Sequence, residues 1–222
     1  MTHYTRQANT LFTKYRQMDS AALHADWLQH LPERPGLACD IGAGSGRDAC
    51  WLAGKGWEVI AVEPEAGFRA LAREQAGEQA TAQSHANVTW LDDRLPELSQ
   101  LRRLNQRFNL ILLSAVWMHV PEAMRERAFR ILSNLLAPRG VLVISLRHGS
   151  DAAENRERDF HPVSVQELEQ LCRRRALSVV AVTDKPDNQG RDHVRWQTVV
   201  MQLPDDGTGS SEVSEPPTES PD

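Results

Sequence analysis

The stretch LACDIGAGSGRDACWLA, residues 37–53, decides the fold of this 222-residue chain. A short, mostly apolar run leads directly into three glycines, Gly42, Gly44 and Gly46, and a helical pattern follows. A glycine turn between a strand and a helix lets the backbone approach a nucleotide closely. The stretch therefore predicts an α/β fold with a ligand site at the end of its first strand.

The spacing of these glycines argues against a dinucleotide. The GxGxxG fingerprint would place its third glycine five positions after Gly42, where this chain has Arg47. Asp40 lies two residues before the first glycine. A carboxylate at this position repels a pyrophosphate but attracts a cationic amine. The turn therefore predicts a ligand that carries such an amine.

Short β-branched runs alternate with helical patterns along the rest of the chain, which is typical of a mostly parallel sheet. Only the polar loop DKPDNQGRDH separates the last two strands, so we expect a hairpin and an antiparallel last strand. The prediction is a Rossmann-like three-layer α/β sandwich with helices on both faces of a seven-stranded sheet. Its predicted strands are residues 37–41, 57–63, 87–91, 108–114, 140–146, 177–183 and 194–203.

Length and composition indicate a single domain, residues 1–203, followed by a disordered acidic tail, residues 204–222. The tail contains six acidic residues and no lysine or arginine, so without it the net charge of −5 becomes +1. We expect residues 1–35 to form a helical cap, with Asp19 as a helix N-cap, and residues 147–163 to form a lid-like insertion. A nearly neutral body neither requires nor excludes a polyanionic partner.

The location and redox state follow from two further features. The N-terminus is too polar for a signal peptide, and no run approaches the roughly 18 apolar residues of a membrane span. The three cysteines form no CxxC pair, which argues against a disulfide framework or a metal site. We expect a cytoplasmic protein with no membrane partner.

From about residue 37 to residue 203, the chain resembles the class I S-adenosylmethionine-dependent methyltransferases of the small bacterial type. DIGAGSG looks like the first motif of that family, and VIAVEP, WLDDRLPEL and FNLILLSAVWMHV look like the next three. The resemblance implies S-adenosylmethionine as cofactor and S-adenosylhomocysteine as product. The cofactor contacts that it implies are made by Asp40, Gly42, Ala43, Gly44, Gly46, Glu63, Pro64, Asp92, Asp93, Ser114, Val116 and Trp117.

The family resemblance also implies individual roles. Asp40 would contact the amino acid end of the cofactor, and Glu63 would accept hydrogen bonds from the ribose hydroxyls. Asp92 or Asp93 would meet the adenine amine, although either could serve only as a helix N-cap. Asn109 stands where the family commonly has an acid, at a structural position.

The substrate side of such folds combines the N-terminal helix, the loop after strand four and the insertion after strand five. The candidate residues there are Tyr4, Tyr15, Arg16, Trp117, His119, Arg147, His148, Arg158 and His161. His148 is the favoured general base and His119 the second candidate. We place Arg147 directly after a strand end, where it presents a guanidinium to a carboxylate or phosphate, or pairs with a neighbouring helix.

The methyl acceptor is the least defined feature. In-line methyl transfer depends mainly on near-attack geometry, so no catalytic residue type is compulsory. The minimal domain favours a small-molecule acceptor, which includes natural products. Two groups of arginines keep a modified tRNA base or a protein as alternatives: Arg102, Arg103 and Arg107, and Arg173, Arg174 and Arg175. A non-catalytic cofactor-binding interaction module is a further alternative. Duplex DNA is not expected, because the loop after strand four lacks the Pro-Pro motif and no cysteine follows a proline.

Overall fold

The fold was analysed in a computed structural model that describes residues 8–78 and 87–205. Tyr4 and residues 206–222 of the predicted tail lie outside these ranges. None of the helices in the described ranges combines the length and hydropathy that a membrane span requires.

The sheet has the predicted architecture. Its seven strands have the order β3-β2-β1-β4-β5-β7-β6, and β7 runs antiparallel to both of its neighbours while every other pair is parallel. The strands are β1 Leu37–Ile41, β2 Glu58–Val62, β3 Val88–Leu91, β4 Phe108–Leu113, β5 Leu136–Gly149, β6 Ser178–Pro186 and β7 Val194–Gln202. The seven predicted strands and the antiparallel last strand are confirmed.

Two of the helices begin after a residue whose side chain accepts a hydrogen bond from the first turn. Asp19 accepts a hydrogen bond from the amide of Ala21 at 2.9 Å, and Ser164 accepts one from the amide of Glu167 at 3.1 Å. The α-helices are α1 Ala8–Arg16, α2 Ser20–His24, α3 Arg47–Gly54, α4 Ala66–Glu78, α5 Ser99–Arg103, α6 Glu122–Leu135, α7 Ala152–Glu157 and α8 Val165–Arg174. Two 3-10 turns, Ala25–His30 and Trp117–His119, complete the described helical structure.

The strand predicted over residues 140–146 begins earlier in the structure, at Leu136. The preceding helix, α6, ends at Leu135, directly before this strand begins. Ala137 precedes a proline, and a proline ring disfavours helical backbone in the residue before it. The chain therefore leaves the helix and enters the sheet before Gly140 is reached.

β5 also continues past its predicted end, through Arg147 and His148 to Gly149. The backbone there pairs with β7, with Arg147 opposite Trp196 and His148 opposite Arg195. Arg147 therefore lies within a strand rather than directly after one. Because side chains alternate along a strand, Arg147 and His148 point to opposite faces of the sheet.

Separate hydrophobic cores cover the two faces of the sheet. One packs β-strand side chains against α5, α6 and α8, and its buried members include Cys39, Ile41, Leu101, Ile111, Leu113, Leu132, Ile144 and Leu168. The other packs the opposite side chains against α3 and the first 3-10 turn, and its buried members include Trp27, Ala38, Leu52, Val59, Leu110, Val143 and Val200. The three layers of the predicted sandwich follow from this arrangement.

The N-terminal helices pack on the α3 side of the molecule. Phe12 of α1 and Phe68 of α4 are both buried, and their ring centroids lie 6.4 Å apart. Trp27 is 1% exposed and belongs to the core beneath α3. This packing brings α1 and α2 to the edge where the parallel strands end.

The glycine turn predicts a difference between two alanine substitutions. Gly46 has a φ of +74°, and a Cβ there would lie 2.7 Å from the Trp90 ring, whereas Gly54 has open space around it and no positive φ. We expect Gly46→Ala to lower the free energy of unfolding by about 1–3 kcal/mol. Gly54→Ala, the matched control at the end of a helix, should leave it unchanged or raise it by up to about 1 kcal/mol. Urea denaturation measures both, and equal losses would contradict the assignment.

Candidate functional site

A cleft of about 400 Å³ opens at the carboxyl edge of the sheet, which is where open α/β folds bind ligands. The glycine turn after β1, the end of β2 and the loop after β4 form its floor, and α1, the segment after α7 and the β6–β7 hairpin form its sides. The predicted site residues that line it are Tyr15, Asp40, Gly42, Ala43, Gly44, Glu63, Pro64, Asp93, Ser114, Val116, His119, Arg147 and Arg158. The predicted residues that do not line it are Arg16, Gly46, Asp92, Trp117, His148 and His161.

Asp40 places a buried carboxylate in the cleft wall at the end of β1. The residue is 2% exposed, and its Oδ2 atom has no hydrogen-bond partner among the described residues. Burial raises the pKa of Asp40 well above its usual value, and the nearby Asp48 carboxylate acts in the same direction against Arg47. A buried acceptor without a partner is costly for the fold, so this oxygen is a candidate for ligand binding.

Glu63 ties the glycine turn to the end of β2. Its Oε2 accepts a hydrogen bond from the Gly44 amide at 2.8 Å, and its Oε1 accepts one from the Glu65 amide at 2.8 Å. Burial raises the pKa of Glu63 although these two amides favour the charged form. A carboxylate has about four acceptor positions, so two accepted amides leave capacity for hydroxyl donors of a ligand.

The loop after β4 packs closely against the glycine turn. A Cβ at Gly42 would lie 2.5 Å from a methyl group of Val116, so this glycine permits the two segments to touch. Gly44 differs, because a Cβ there would have no neighbour closer than 3.9 Å. The backbone at Gly44 therefore faces the open cleft, where a ligand can approach it closely.

The acidic pair after β3 has a structural role. The carboxylate of Asp93 accepts hydrogen bonds from four backbone amides, which belong to Arg94, Ser99, Gln100 and Leu101 at the start of α5. Asp92 forms an ion pair with Arg69 at 2.7 Å and lies outside the cleft. Asp93 therefore lines the cleft wall and caps the start of α5. The sequence had left this role open as the alternative to a contact with the adenine amine.

Two further residues that were predicted to contact the cofactor, Trp117 and Gly46, lie outside the cleft. Trp117 has no exposed surface and packs edge-on against Phe129, with ring centroids 6.5 Å apart. Gly46 leaves room for the ring of Trp90, as described above. These residues shape the floor of the cleft without lining it.

The two histidines proposed as bases lie in different places. His148 does not line the cleft. Because β5 continues through Arg147 and His148 and side chains alternate along a strand, the His148 side chain lies on the opposite face of the sheet from that of Arg147. His119 does line it, with its ring 4.9 Å from that of Phe160. Burial and the nearby Arg158 lower the pKa of His119 to about 4. His119 is therefore neutral at pH 7 and a weak proton acceptor.

Arg147 forms the ion pair with a neighbouring helix that the sequence allowed. It is 5% exposed, and it contacts Glu154 at 2.5 Å and Asn155 at 3.3 Å on α7. Its guanidinium also lies 4.7 Å from the centre of the Phe160 ring. The residue is thus held between a helix, an aromatic ring and the cleft.

The β6–β7 hairpin is a wall of the cleft that sequence reasoning missed. Asp187 organises its tip by accepting hydrogen bonds from the guanidinium of Arg191 and from the indole of Trp196 at 3.0 Å. All three residues line the cleft. The sequence contained the signal for this wall. A hairpin makes β7 antiparallel to β6, and if β7 also pairs antiparallel with β5, then β6 runs parallel to β5 and the β6–β7 turn lies at the carboxyl edge of the sheet.

A buried polar network that the sequence did not reveal joins the N-terminal helices to α3. Asp48 accepts hydrogen bonds from Ser20 at 2.7 Å and from two nitrogens of Arg47, and His24 lies 3.0 Å away. Burial alone would raise the pKa of Asp48, but His24 and Arg47 outweigh it and hold that pKa well below its usual value. The network fixes the cap beside the glycine turn.

Comparison with known proteins gives one family. A model of the methyltransferase domain matches residues 12–182. No curated protein sequence matches the chain.

Several solved structures share the fold. The glycopeptide N-methyltransferase MtfA complexed with (S)-adenosyl-L-methionine has 19% sequence identity and a TM-score of 0.63, with 84% of this chain and 94% of that chain covered. The Burkholderia thailandensis 1,6-didemethyltoxoflavin-N1-methyltransferase has 21% identity and a TM-score of 0.59, with 84% and 76% covered. The [4+2]-cyclase SpnF has 13% identity and a TM-score of 0.65, with 82% and 80% covered.

The unpartnered oxygen of Asp40 predicts that this residue costs stability in the ligand-free protein. Because its folded pKa is raised, the wild type loses stability as pH rises above about 4, where the unfolded carboxyl titrates. Asp40→Asn lacks this loss, so we expect it to be more stable at pH 8 by about 1–3 kcal/mol. Urea unfolding at pH 5 and pH 8 tests this, and an advantage that failed to grow with pH would contradict it.

Proposed function

The chain belongs to the methyltransferase domain family, and we propose that it transfers the methyl group of S-adenosylmethionine to a small-molecule acceptor bound in the cleft. Family membership rests on the match over residues 12–182. The proposal of methyl transfer in the cleft rests on one observation. A carboxylate oxygen of Asp40 is buried in the cleft wall without a hydrogen-bond partner among the described residues.

The residues on the floor of the cleft fit this cofactor. Asp40 offers an acceptor for its amino group, Glu63 retains acceptor capacity for its ribose hydroxyls, and Gly44 leaves its backbone open to close approach. Leu95 and Pro96 add an apolar wall for its base. When bound, the cofactor supplies a methyl group activated by a sulfonium.

Asp92 and Asp93 are not part of this proposal for the adenine amine. Their carboxylates are occupied by Arg69 and by the amides at the start of α5. We propose that the base is held by the shape of the wall around Pro96 and Val116. Apolar contact and backbone groups suffice for such a ring in a pocket of this kind.

The walls above the floor favour a small acceptor. Tyr15 and Met18 of the N-terminal segment, Arg158 after α7 and Arg191 of the hairpin all line the cleft. Its volume of about 400 Å³ is at the scale of sites for small ligands and cofactors. Enclosure of this kind excludes water and holds the acceptor in line with the methyl group, which can supply most of the acceleration.

The residues do not favour a histidine base. His148 lies on the other face of the sheet, and the pKa of His119, about 4, is far from the pH at which a general base works best. We propose that His119 forms part of the acceptor wall with Phe160. The reaction then depends on positioning and on an acceptor that is nucleophilic at neutral pH.

The arginines at residues 173–175, which left a tRNA or a protein open as acceptor, include two that form contacts within the fold. Arg174 lies 3.0 Å from Glu126, and Arg175 donates hydrogen bonds to Ser133 and Asn134, so both join α8 to α6. Neither arginine lines the cleft. These contacts support a solvated structural face rather than a polyanion footprint.

The acceptor class can be tested with cofactor labelled on the methyl group. Purified protein and a bacterial extract are incubated together, and the mixture is separated by ultrafiltration after nuclease or protease treatment. We expect label in the small filtrate of untreated samples, and none with the heat-inactivated protein. Label retained on large material and released by ribonuclease or protease would contradict a small acceptor. A failure to transfer any label would favour a non-catalytic module.

A further inference from the structure

Two residues with hydroxyl groups lie side by side in the cleft. Ser145 of β5 is directly opposite Thr198 of β7, and both line the cleft. One row deeper in the sheet, Val143 is opposite Val200, and both belong to the hydrophobic core beneath α3. Residues two apart along a strand share a face, so the apolar core of this face ends where Ser145 and Thr198 begin. We name Ser145 and Thr198 the hydroxyl pair.

The hydroxyl pair retains hydrogen-bond donors. The Ser145 Oγ accepts a hydrogen bond from the amide of Ala115 at 2.7 Å. A hydroxyl also carries one proton that it can donate, and Ser145 donates it to none of the described residues. Thr198 is 8% exposed, and its hydroxyl forms no hydrogen bond within the described ranges. Both hydroxyls can therefore donate to a ligand in the cleft.

The strand order places the hydroxyl pair beside the residues assigned to the cofactor. Asp40 lies at the end of β1, Glu63 follows β2 on one side of it, and β4, β5 and β7 succeed one another on the other side. Neighbouring strands lie about 4.8 Å apart, so the hydroxyl pair is about 10–15 Å to the side of Asp40. The hydroxyl pair thus lies in a different part of the cleft from the two carboxylates, where an acceptor can lie next to the cofactor.

The cations on this side of the cleft already have carboxylate partners within the fold. Glu154 pairs with two of them, and one each pairs with Asp187 and Asp26, which leaves no cation here without a carboxylate. The four are Arg147, Arg158, Arg191 and Lys185. The wall therefore does not call for a charged acceptor, and the unused hydrogen-bonding capacity lies in the hydroxyl pair.

An aromatic surface adjoins the hydroxyl pair. Trp196 lies two residues before Thr198 on β7, so its side chain is on the same face of the sheet, and it lines the cleft. Its indole N–H donates to Asp187 at 3.0 Å, so its one polar group is already paired. Phe160 also lines the cleft. These rings offer apolar contact to a flat compound that reaches the two hydroxyls.

We propose that the hydroxyl pair is a subsite for the methyl acceptor, and that the acceptor is an uncharged compound that presents a carbonyl oxygen to it. This inference rests on the proposed function and specifies its substrate class. A carbonyl oxygen has two lone pairs, so it can accept from Ser145 and from Thr198 at once. The Cβ atoms of opposite residues in an antiparallel pair lie about 4.5–5.5 Å apart, which brings both hydroxyls within reach of one oxygen.

The test uses acetophenone, its isostere α-methylstyrene, in which a methylene group replaces the carbonyl oxygen, and the anion benzoate. Each probe is titrated by NMR into the protein loaded with S-adenosylhomocysteine. A neutral hydrogen bond changes affinity by about threefold to tenfold, so we expect acetophenone to bind at least threefold more tightly than α-methylstyrene. We also expect it to bind more tightly than benzoate. Equal binding of acetophenone and α-methylstyrene, or tighter binding of benzoate, would overturn the inference.

Thr198→Val localises the acetophenone site. It removes a hydroxyl that has no partner among the described residues, so it leaves no group of the fold unpaired. We expect it to weaken acetophenone binding at least threefold and to leave α-methylstyrene binding unchanged. The matched control is Thr183→Val on β6, because Thr183 is opposite Thr198 in the sheet but does not line the cleft. Unchanged acetophenone affinity in Thr198→Val, or an equal loss in both variants, would refute the site.

The same titrations separate this inference from the proposed function. Binding of S-adenosylhomocysteine without a preference for acetophenone would overturn the carbonyl subsite and leave the cofactor site standing. No binding of S-adenosylhomocysteine would overturn the proposed function, while the effect of Thr198→Val on acetophenone binding to the unloaded protein would still decide whether the hydroxyl pair takes a carbonyl. Both valine variants should keep the wild-type affinity for S-adenosylhomocysteine.

Discussion

The site depends on one unfavourable arrangement, a carboxylate oxygen of Asp40 that is buried at the end of β1 without a hydrogen-bond partner among the described residues. The parallel sheet makes this possible, because β1 lies between β2 and β4 and the carboxyl ends of these three strands meet at one edge. The turn that follows is held in place by Glu63 and by the close fit of Gly42 to Val116. A rigid surrounding of this kind can retain a costly group, which a ligand then compensates.

Much of the fold, and many of the residues that line the cleft, could be predicted because their signals are local. β-branched runs, the glycine turn and the short connection between the last strands each reside in a few consecutive residues. The features that the sequence did not reveal depend on contacts between residues distant in sequence. β5 runs through Arg147 and His148 because β7 pairs with it there, and that pairing turned the favoured base away from the cleft. The sequence left Asp93 open between an adenine contact and a helix cap, and the amides at the start of α5, six to eight residues later, make it a cap.

The family and the fold leave the acceptor undecided, because one fold can carry sites for many different substrates. The same fold occurs in two methyltransferases and in a [4+2]-cyclase, all below 25% sequence identity to this chain. In this chain, the segment after α7 and the β6–β7 hairpin form walls above the floor of the cleft. The hairpin is rigid at its tip, since Asp187 binds Arg191 and Trp196 together.

The central claim is that Asp40 anchors the cofactor, and calorimetric titration of S-adenosylmethionine tests it most directly. We predict binding at one site per chain and a loss of at least tenfold in affinity in Asp40→Asn, in which the acceptor for the amino group is no longer charged. Asp92→Asn is the matched control, because its carboxylate pairs with Arg69 outside the cleft, and its affinity should stay within about threefold of wild type. Unchanged affinity in Asp40→Asn, or an equal loss in both variants, would contradict the account.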